Sequence, residues 1–262
     1  MDSSKEFNVV AFCAGYGGIE RGLEIAGIKN RVVAYVEIEA YAIRNLVDKM
    51  ETGELAPAPI FTDVKQFPAK HFRGKVDIVT GGYPCQPFSL AGQSRKGKDD
   101  PRHLWPFLLK HVKAINPVRC FWENVYGHVR LGLRKVLSDM ESENFKTEFG
   151  VFSAAEAGAV HERKRVFIMA DSNYAHSERG GVSSRVHAEQ SHDNSNSLGQ
   201  RRAFAQHWAN EPRISRMDDG SSDWVHRVRL LGNGVVPQQA AIAWDVLAER
   251  LKNPHFQKRN ER

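Results

Sequence analysis

Short apolar runs alternate with amphipathic stretches through the first 170 residues of the chain. The runs are rich in β-branched and aromatic residues and several end at glycine, which is typical of buried strands. The predicted strands are NVVAFCAG (8–15), RVVAYVEIE (31–39), VDIVTGG (76–82), VRCFWENV (118–125), FKTEFGVFSA (145–154) and KRVFIMA (164–170).

The stretches between these runs place apolar residues near helical spacing. The predicted helices are IERGLEIAG (19–27), AYAIRNLVDKM (40–50), LWPFLLKHVKAI (104–115) and LGLRKVLSDMESE (131–143). Gly27 is a candidate C-cap of the first helix, and Asn116–Pro117 ends the third. Strands separated by helices of this length predict an α/β fold with a parallel, doubly wound sheet.

Four residues with chemical potential follow predicted strands: Gly15, Glu37, Cys85 and Glu123. In a doubly wound sheet, ligands bind beyond the carboxyl ends of the strands. The pattern therefore predicts that these residues share one site.

The character of the chain changes after residue 170. Residues 171–223 are rich in Ser, Asn, His and Arg and have no apolar periodicity, which indicates either disorder or an irregular region that a partner orders. A glycine turn, a proline and an amphipathic helix follow in RVRLLGNGVVPQQAAIAWDVLAERL (227–251). The predicted organisation is a main domain (1–170), a small irregular region (171–223) and a C-terminal segment (224–262) that returns to the main domain.

Composition narrows the class of protein. The chain has 262 residues, 41% of them hydrophobic, and a net charge of +6, which suits a full core and a polyanionic partner. Cations concentrate in QSRKGKDDPRH (93–103) and HERKRVF (161–167), although a solvated loop and a charged strand edge would have the same composition. Three distant cysteines indicate a reduced, intracellular protein, and neither a metal site nor a membrane segment is predicted.

The turn FCAGYGG (12–18) leads into the first predicted helix. Glycine in such a turn allows positive φ and a close approach of the backbone to a ligand. Glu37, about 20 positions further on, can accept hydrogen bonds from ribose hydroxyls. The turn has no G-K-[ST] sequence for a polyphosphate. These features predict a nucleoside cofactor with an uncharged tail, such as S-adenosylmethionine.

Cys85 lies in DIVTGGYPCQPFS (77–89), beyond the strand rather than inside its apolar run. A free cysteine is usually an inert small hydrophobe, and position alone leaves that alternative open. Glu123, in WENV (122–125), has aromatic and apolar neighbours that would raise its pKa. A thiolate that adds to C6 of cytosine, with an acid at N3, makes C5 nucleophilic toward a methylsulfonium. The pair fits that chemistry.

Several motifs in order along the chain resemble the DNA (cytosine-5)-methyltransferase family. They are FCAGYGG, VEIE with Glu37, FTDV with Asp63, GGYPCQPFS, ENV, AGAVHERKRVF and, last, LLGNGVVPQ (230–238). The resemblance implies a Rossmann-like S-adenosylmethionine-dependent methyltransferase sheet with a short target-recognition region at 171–223. It also implies methyl transfer to C5 of a cytosine flipped out of duplex DNA, through a covalent Cys85–C6 intermediate.

The resemblance assigns residues to three roles. For catalysis it implies Cys85 as nucleophile, Glu123 as the acid at N3, and Arg165 with Arg163 at the cytosine O2. The implied cofactor-binding residues are Cys13, Ala14, Gly15, Tyr16, Gly17, Gly18, Ile19, Glu37, Ile38, Asp63, Val64, Gly82, Pro84, Leu104, Asn233, Gly234 and Val235. The implied DNA-binding residues lie in or near a mobile loop: Gln86, Ser89, Arg95, Lys96, Lys98 and Arg102.

Three positions depart from the family pattern: Cys13 replaces the usual Phe, Ile38 an aromatic residue and His161 the first residue of Q-x-R-x-R. The motif expected before LLGNGVVPQ is not recognisable. We expect a cytoplasmic, DNA-associated monomer that is prokaryotic or phage-encoded. Its expected partners are duplex DNA and a possible cognate restriction endonuclease, and no metal is expected. The alternatives are the same chemistry on RNA and a non-catalytic DNA-binding protein, which the intact Cys85, Glu123 and Arg165 disfavour.

Overall fold

The computed structural model describes residues 6–84, 104–173 and 232–252. The strands are β1 (Phe7–Phe12), β2 (Asn30–Val36), β3 (Ile60–Phe61), β4 (Ile78–Gly82), β5 (Arg119–Val125), β6 (Phe145–Phe152) and β7 (Arg165–Ser172). The helices are α1 (Gly18–Ile25), α2 (Ala40–Glu51), α3 (Trp105–Ile115), α4 (His128–Leu131), α5 (Leu133–Ser142) and α6 (Pro237–Lys252). The predicted strands and helices in the described ranges are confirmed; the two-residue β3 and the short helix α4 were not predicted.

The strands form one seven-stranded sheet in the order β3-β2-β1-β4-β5-β7-β6. The first five strands are parallel, as predicted, but β7 is antiparallel to both β5 and β6, so the prediction of an all-parallel sheet is wrong at this edge. A parallel neighbour needs a crossover, usually a helix, whereas only a short segment with a 3₁₀ turn at Ala155–Ala157 separates β6 from β7. After β6, the chain turns back, and β7 lies between β5 and β6 in the opposite direction to both.

Helices cover both faces of the sheet. On one face, α3 and α5 bury Leu108, Val112 and Met140. On the other, α1 and α6 bury Leu23 and Trp244. This two-sided burial explains why the central strands are almost continuously apolar.

The packing of α1 on α6 depends on a glycine. A Cβ added at Gly22 would lie 2.7 Å from the Cβ of Ala240, so no larger residue fits at this crossing. The crossing brings the start of α6, and the segment before it, against the loop that precedes α1.

The ends of two helices agree with the sequence. Gly27 has φ 78°, and its N–H donates to Glu24 O after the end of α1. Asn116 ends α3 in the left-handed conformation that Asn tolerates. Within the described ranges, no helix has the length and apolar character needed to cross a membrane.

Candidate functional site

The carboxyl ends of β1, β2, β4 and β5 meet at one edge of the sheet. Phe12 pairs with Val36 on one side and with Gly81 on the other, and Gly82 pairs with Glu123. The glycine loop, Glu37 and Glu123 therefore emerge side by side, as the sequence predicted.

The glycine loop after β1 is open toward solvent at its tip. Gly15 and Gly17 have φ of 56° and 80°, in the left-handed region that favours glycine. A Cβ added at Gly15 would meet nothing within 4 Å. The loop leaves a cradle in which a ligand can approach the backbone closely.

Glu37 is fixed at the end of β2 by backbone donors. The residue is buried, with 7% of its surface exposed. One oxygen accepts the N–H of Gly15 at 2.8 Å, and the other accepts those of Ile38 and Glu39 at 2.8 and 2.9 Å. Ile38 itself is 75% exposed and offers an apolar surface beside the carboxylate. A carboxylate and an apolar side chain at one place suit the ribose and base of a nucleoside.

Asp63 follows β3 at the same edge. Its carboxylate accepts hydrogen bonds from Lys65 N and Gln66 Nε2, both at 2.8 Å. These bonds lower the pKa of Asp63, which keeps the carboxylate ionised. Val64, the next residue, is buried, and its carbonyl oxygen lies 2.6 Å from His111 Nε2.

Residues 232–235, which precede α6 and which we call the far-wall segment, lie against the glycine loop. The Tyr16 hydroxyl donates to Val235 O. A Cβ added at Gly234 would lie 1.9 Å from Tyr16 Cε1, and one at Gly18 would lie 2.8 Å from Val235 O. The glycines therefore let the far-wall segment pack directly on the glycine loop.

Glu123 and Arg165 form a buried ion pair at the ends of β5 and β7. Arg165 Nε lies 2.8 Å from Glu123 Oε1, and the two side chains are 12% and 8% exposed. Burial raises the pKa of Glu123 to about 7, against the opposing effects of Arg165 and Arg163. A carboxyl group with this pKa can hold or release a proton near neutral pH.

Neighbouring residues leave room for Glu123 and orient the strand that carries it. A Cβ added at Gly82 would lie 3.2 Å from Glu123 Oε2, so a larger side chain would press on the carboxylate. Asn124 Nδ2 donates to Tyr83 O at 2.9 Å and ties the acid-bearing strand to the chain that leads to Cys85. Sequence reasoning did not assign a role to Asn124.

The side chain of Tyr83 also fixes the segment between β4 and Cys85. Its hydroxyl lies 2.9 Å from Nε2 of the fully buried His128. Its ring packs against Trp105 at 5.3 Å and Trp122 at 6.2 Å between centroids. Burial lowers the pKa of His128 to about 4, so the imidazole is neutral. Nothing in the local sequence around His128 signals this contact.

The two arginines of the predicted arginine motif have different partners. Arg165 lies beside Glu123, whereas Arg163 Nη2 donates to Gly232 O at 2.6 Å and to Gly234 O. Gln239, at the start of α6, donates to Phe152 O and Arg163 O. Sequence reasoning missed Gln239 because its partners are far away along the chain.

The remaining predicted residues divide into two groups. Those described all lie around this edge, in the loops after β1 and β4, in the first turn of α1, or just before α3 and α6: Cys13, Ala14, Ile19, Pro84, Leu104 and Asn233. Those outside the described residues are Cys85, Gln86, Ser89, Arg95, Lys96, Lys98 and Arg102, with the predicted recognition region from residue 174 onward. Its first two residues, Asp171 and Ser172, complete β7.

Acidic residues, histidines and cysteines do not form a metal site in the described part of the chain. There, no group of three or more such side chains is arranged to hold an ion.

The fold resembles that of a solved methyltransferase structure. The Dnmt2 methyltransferase of S. pombe has a similar structure, with a TM-score of 0.63 over 94% of this chain and 99% of that chain, at 17% identity. Together with the strand order, this likeness shows the Rossmann-like fold of S-adenosylmethionine-dependent methyltransferases.

The sequence comparison then gives the family. Residues 7–242 match C-5 cytosine-specific DNA methylase, and the chain belongs to this family. The Type II methyltransferase M.HgiCII of Herpetosiphon aurantiacus is 32% identical over 171 residues, 63% of this chain and 37% of the relative. M.NgoMIV of Neisseria gonorrhoeae is 32% identical over 181 residues, 64% of this chain and 53% of the relative. The matched part of the chain thus spans about half or less of these relatives' length.

Proposed function

We propose that this protein transfers a methyl group from S-adenosylmethionine to C5 of a cytosine flipped out of duplex DNA. The observation that carries the proposal is the buried Glu123–Arg165 pair at the carboxyl edge, beside the strand that leads to Cys85. Family membership and the names of the Type II relatives support DNA as the substrate.

The residues at the carboxyl edge of the sheet support S-adenosylmethionine as the methyl donor. The open cradle at Gly15 accepts a close ligand, the carboxylate of Glu37 suits ribose hydroxyls, and the exposed Ile38 offers packing to an adenine face. Asp63, as an ionised acceptor, suits the adenine amino group. When bound, the cofactor would supply an electrophilic methyl group.

The residues of the chain would then prepare the base. The Cys85 thiolate adds to C6 of cytosine, and Glu123 gives its proton to N3, so negative charge does not accumulate on the ring. Arg165, held by Glu123, donates to O2 and fixes the ring in the site. After methylation, the C5 proton passes to solvent water, the thiolate leaves C6, and N3 returns its proton to Glu123, which restores the neutral aromatic base.

The other two cysteines are unsuited to this role. Burial raises the pKa of Cys13 to about 12 and the pKa of Cys120 well above its ordinary value. Both therefore remain protonated thiols, and the thiolate is the nucleophilic form. Of the three cysteines, Cys85 is therefore the one we propose as the nucleophile.

The partners are part of the proposal. Lysine and arginine side chains in 93–103 would contact DNA phosphates, and residues 174–223, beyond the end of β7, would read the target sequence. The Type II names of the relatives suggest a cognate restriction endonuclease. We propose that the protein is a monomer, encoded by a bacterium or by a phage, and that it acts in the bacterial cytoplasm.

The test is a methylation assay with labelled S-adenosylmethionine on duplex DNA and on tRNA, followed by nucleoside analysis. We expect 5-methyldeoxycytidine from the DNA and no product from tRNA. Product from tRNA alone would make the enzyme an RNA methyltransferase. No product from either, with DNA still bound, would favour a non-catalytic DNA-binding protein.

Glu37→Ala should weaken S-adenosylmethionine binding by roughly tenfold or more, because charge-assisted hydrogen bonds to ribose contribute about 1.5–3 kcal/mol each. Calorimetry without DNA measures this affinity. Glu39→Ala is the matched control, since Glu39 is an exposed carboxylate two residues away, and it should bind like wild type. Equal affinity in Glu37→Ala and wild type would contradict the ribose assignment.

A further inference from the structure

The guanidinium of Arg163 is committed to the backbone of the far-wall segment. Its Nη2 donates to Gly232 O at 2.6 Å and to Gly234 O, which uses both hydrogens of that nitrogen. Arg165, two residues later, instead has Nε 2.8 Å from Glu123 Oε1. Two arginines of one motif thus serve different parts of the site.

The backbone of Arg163 is held in an uncommon conformation. Its φ is 34°, in the left-handed region that side-chain-bearing residues seldom adopt. Gln239 Nε2 donates to Arg163 O at 2.9 Å and to Phe152 O at 2.8 Å, and Gln239 is fully buried. Such a conformation persists where surrounding contacts fix it. These contacts aim the side chain at residues 232–235.

The far-wall segment is held from its other side by the glycine loop. Tyr16 donates through its hydroxyl to Val235 O, and its ring fills the space that a side chain at Gly234 would need. Lys49 Nζ in turn donates to Tyr16 O at 2.9 Å. The segment that carries Asn233 is therefore gripped between Arg163 and Tyr16.

We propose that Arg163 is a positioning residue of the cofactor pocket, holding residues 232–235 against the glycine loop, while Arg165 serves the base. This inference rests on the proposed function, because it takes the pocket to bind S-adenosylmethionine. It gives Arg163 a role different from the contact to cytosine O2 that the family resemblance implies.

Arg163→Lys and Arg165→Lys form the matched pair that tests the proposal. Lysine keeps the charge but loses the planar fork that reaches two acceptors. For Arg163→Lys we expect S-adenosylmethionine affinity, measured by calorimetry without DNA, to fall about tenfold, and kcat at saturating cofactor to stay within about threefold of wild type. For Arg165→Lys we expect unchanged affinity and kcat lower by about 100-fold.

Amide hydrogen exchange on the cofactor-free proteins gives a readout that requires no activity. Exchange in a peptide covering residues 232–236 should be faster in Arg163→Lys than in wild type and unchanged in Arg165→Lys. The proposal would be overturned if Arg163→Lys kept slow exchange and full cofactor affinity but lost turnover. That result would indicate that Arg163 contacts the cytosine instead.

Gly234→Ala disturbs the same segment from the side of Tyr16, and it too should weaken cofactor binding and quicken exchange. Unchanged affinity in both Arg163→Lys and Gly234→Ala would reject the positioning role. If wild type binds no S-adenosylmethionine, the proposed function fails, whereas the exchange comparison still decides whether Arg163 holds the segment.

Discussion

Duplex DNA containing 5-fluorocytosine should trap the wild-type protein, with S-adenosylmethionine present, in a covalent adduct that survives denaturing electrophoresis. Fluorine at C5 cannot leave as a cation, so the bond between Cys85 and C6 persists after methylation. Cys85→Ser should give no adduct, because an un-ionised hydroxyl is a much poorer nucleophile than a thiolate. It should still bind DNA, since phosphate contacts do not require the thiol.

Cys120→Ala is the control for this experiment. Cys120 is a buried core residue of β5, and its substitution removes a thiol without touching the edge of the sheet where the site lies. The adduct should form as in wild type. Wild-type protein that methylates DNA without ever forming the fluorinated adduct would exclude the covalent mechanism and make Cys85 a turn residue.

Glu123→Gln should slow adduct formation by about 10²–10⁴-fold while leaving DNA binding intact, because a general acid at N3 contributes on that scale. Rapid-quench measurement of the adduct gives the rate. Glu148→Gln, which alters a buried carboxylate on β6 instead, should react like wild type. An unchanged rate in Glu123→Gln would show that proton donation by Glu123 to N3 does not contribute to the reaction.

The reaction rate should depend on pH through the protonation of Glu123. With a pKa of about 7, Glu123 holds its proton below that value and loses it above, so the wild-type rate should fall on the alkaline side. Glu123→Gln cannot lose a proton and should lack this decline. Retention of the full decline in the variant would assign it to another group.

The raised pKa of Glu123 has a consequence for stability. Because the folded value lies above the ordinary 4.5, the folded state holds the proton more tightly than the unfolded state. This contribution to stability is complete below 4.5 and is lost as pH rises through about 7. Urea unfolding over that interval should show wild type losing stability relative to Glu123→Gln.

The parts of the fold that repeat locally could be predicted from the sequence. Apolar runs and glycine turns located β1, β2, β4 and β5, and the position of Glu37 and Glu123 at the carboxyl ends of strands placed both at one edge of the sheet. The direction of β7 could also have been inferred, because no helix was predicted between FKTEFGVFSA and KRVFIMA. Parallel pairing was assumed there from the preceding units.

The contacts that refine the site could not be predicted in the same way. Arg163 meets Gly232 across 69 positions, and Gln239 meets Arg163 across 76. Periodicity reports only which face of an element is buried, not which distant backbone oxygen receives a side-chain donor. Such pairs are decided by how α6 packs on α1, and that depends on the whole core.

The hydrogen bond from Arg163 to Gly232 also has a consequence for the length of the segment that precedes Gly232. Two described points bracket residues 174–231: Asn173, just after β7, whose N–H donates to Asn144 O at 3.0 Å, and Gly232, just before α6, whose carbonyl accepts from Arg163 Nη2 at 2.6 Å. For a flexible insertion between fixed ends, each doubling of length costs only about 0.6 kcal/mol of closure entropy. If residues 174–223 read the target sequence, as we propose, segments of very different length could join the same two points at little cost in free energy.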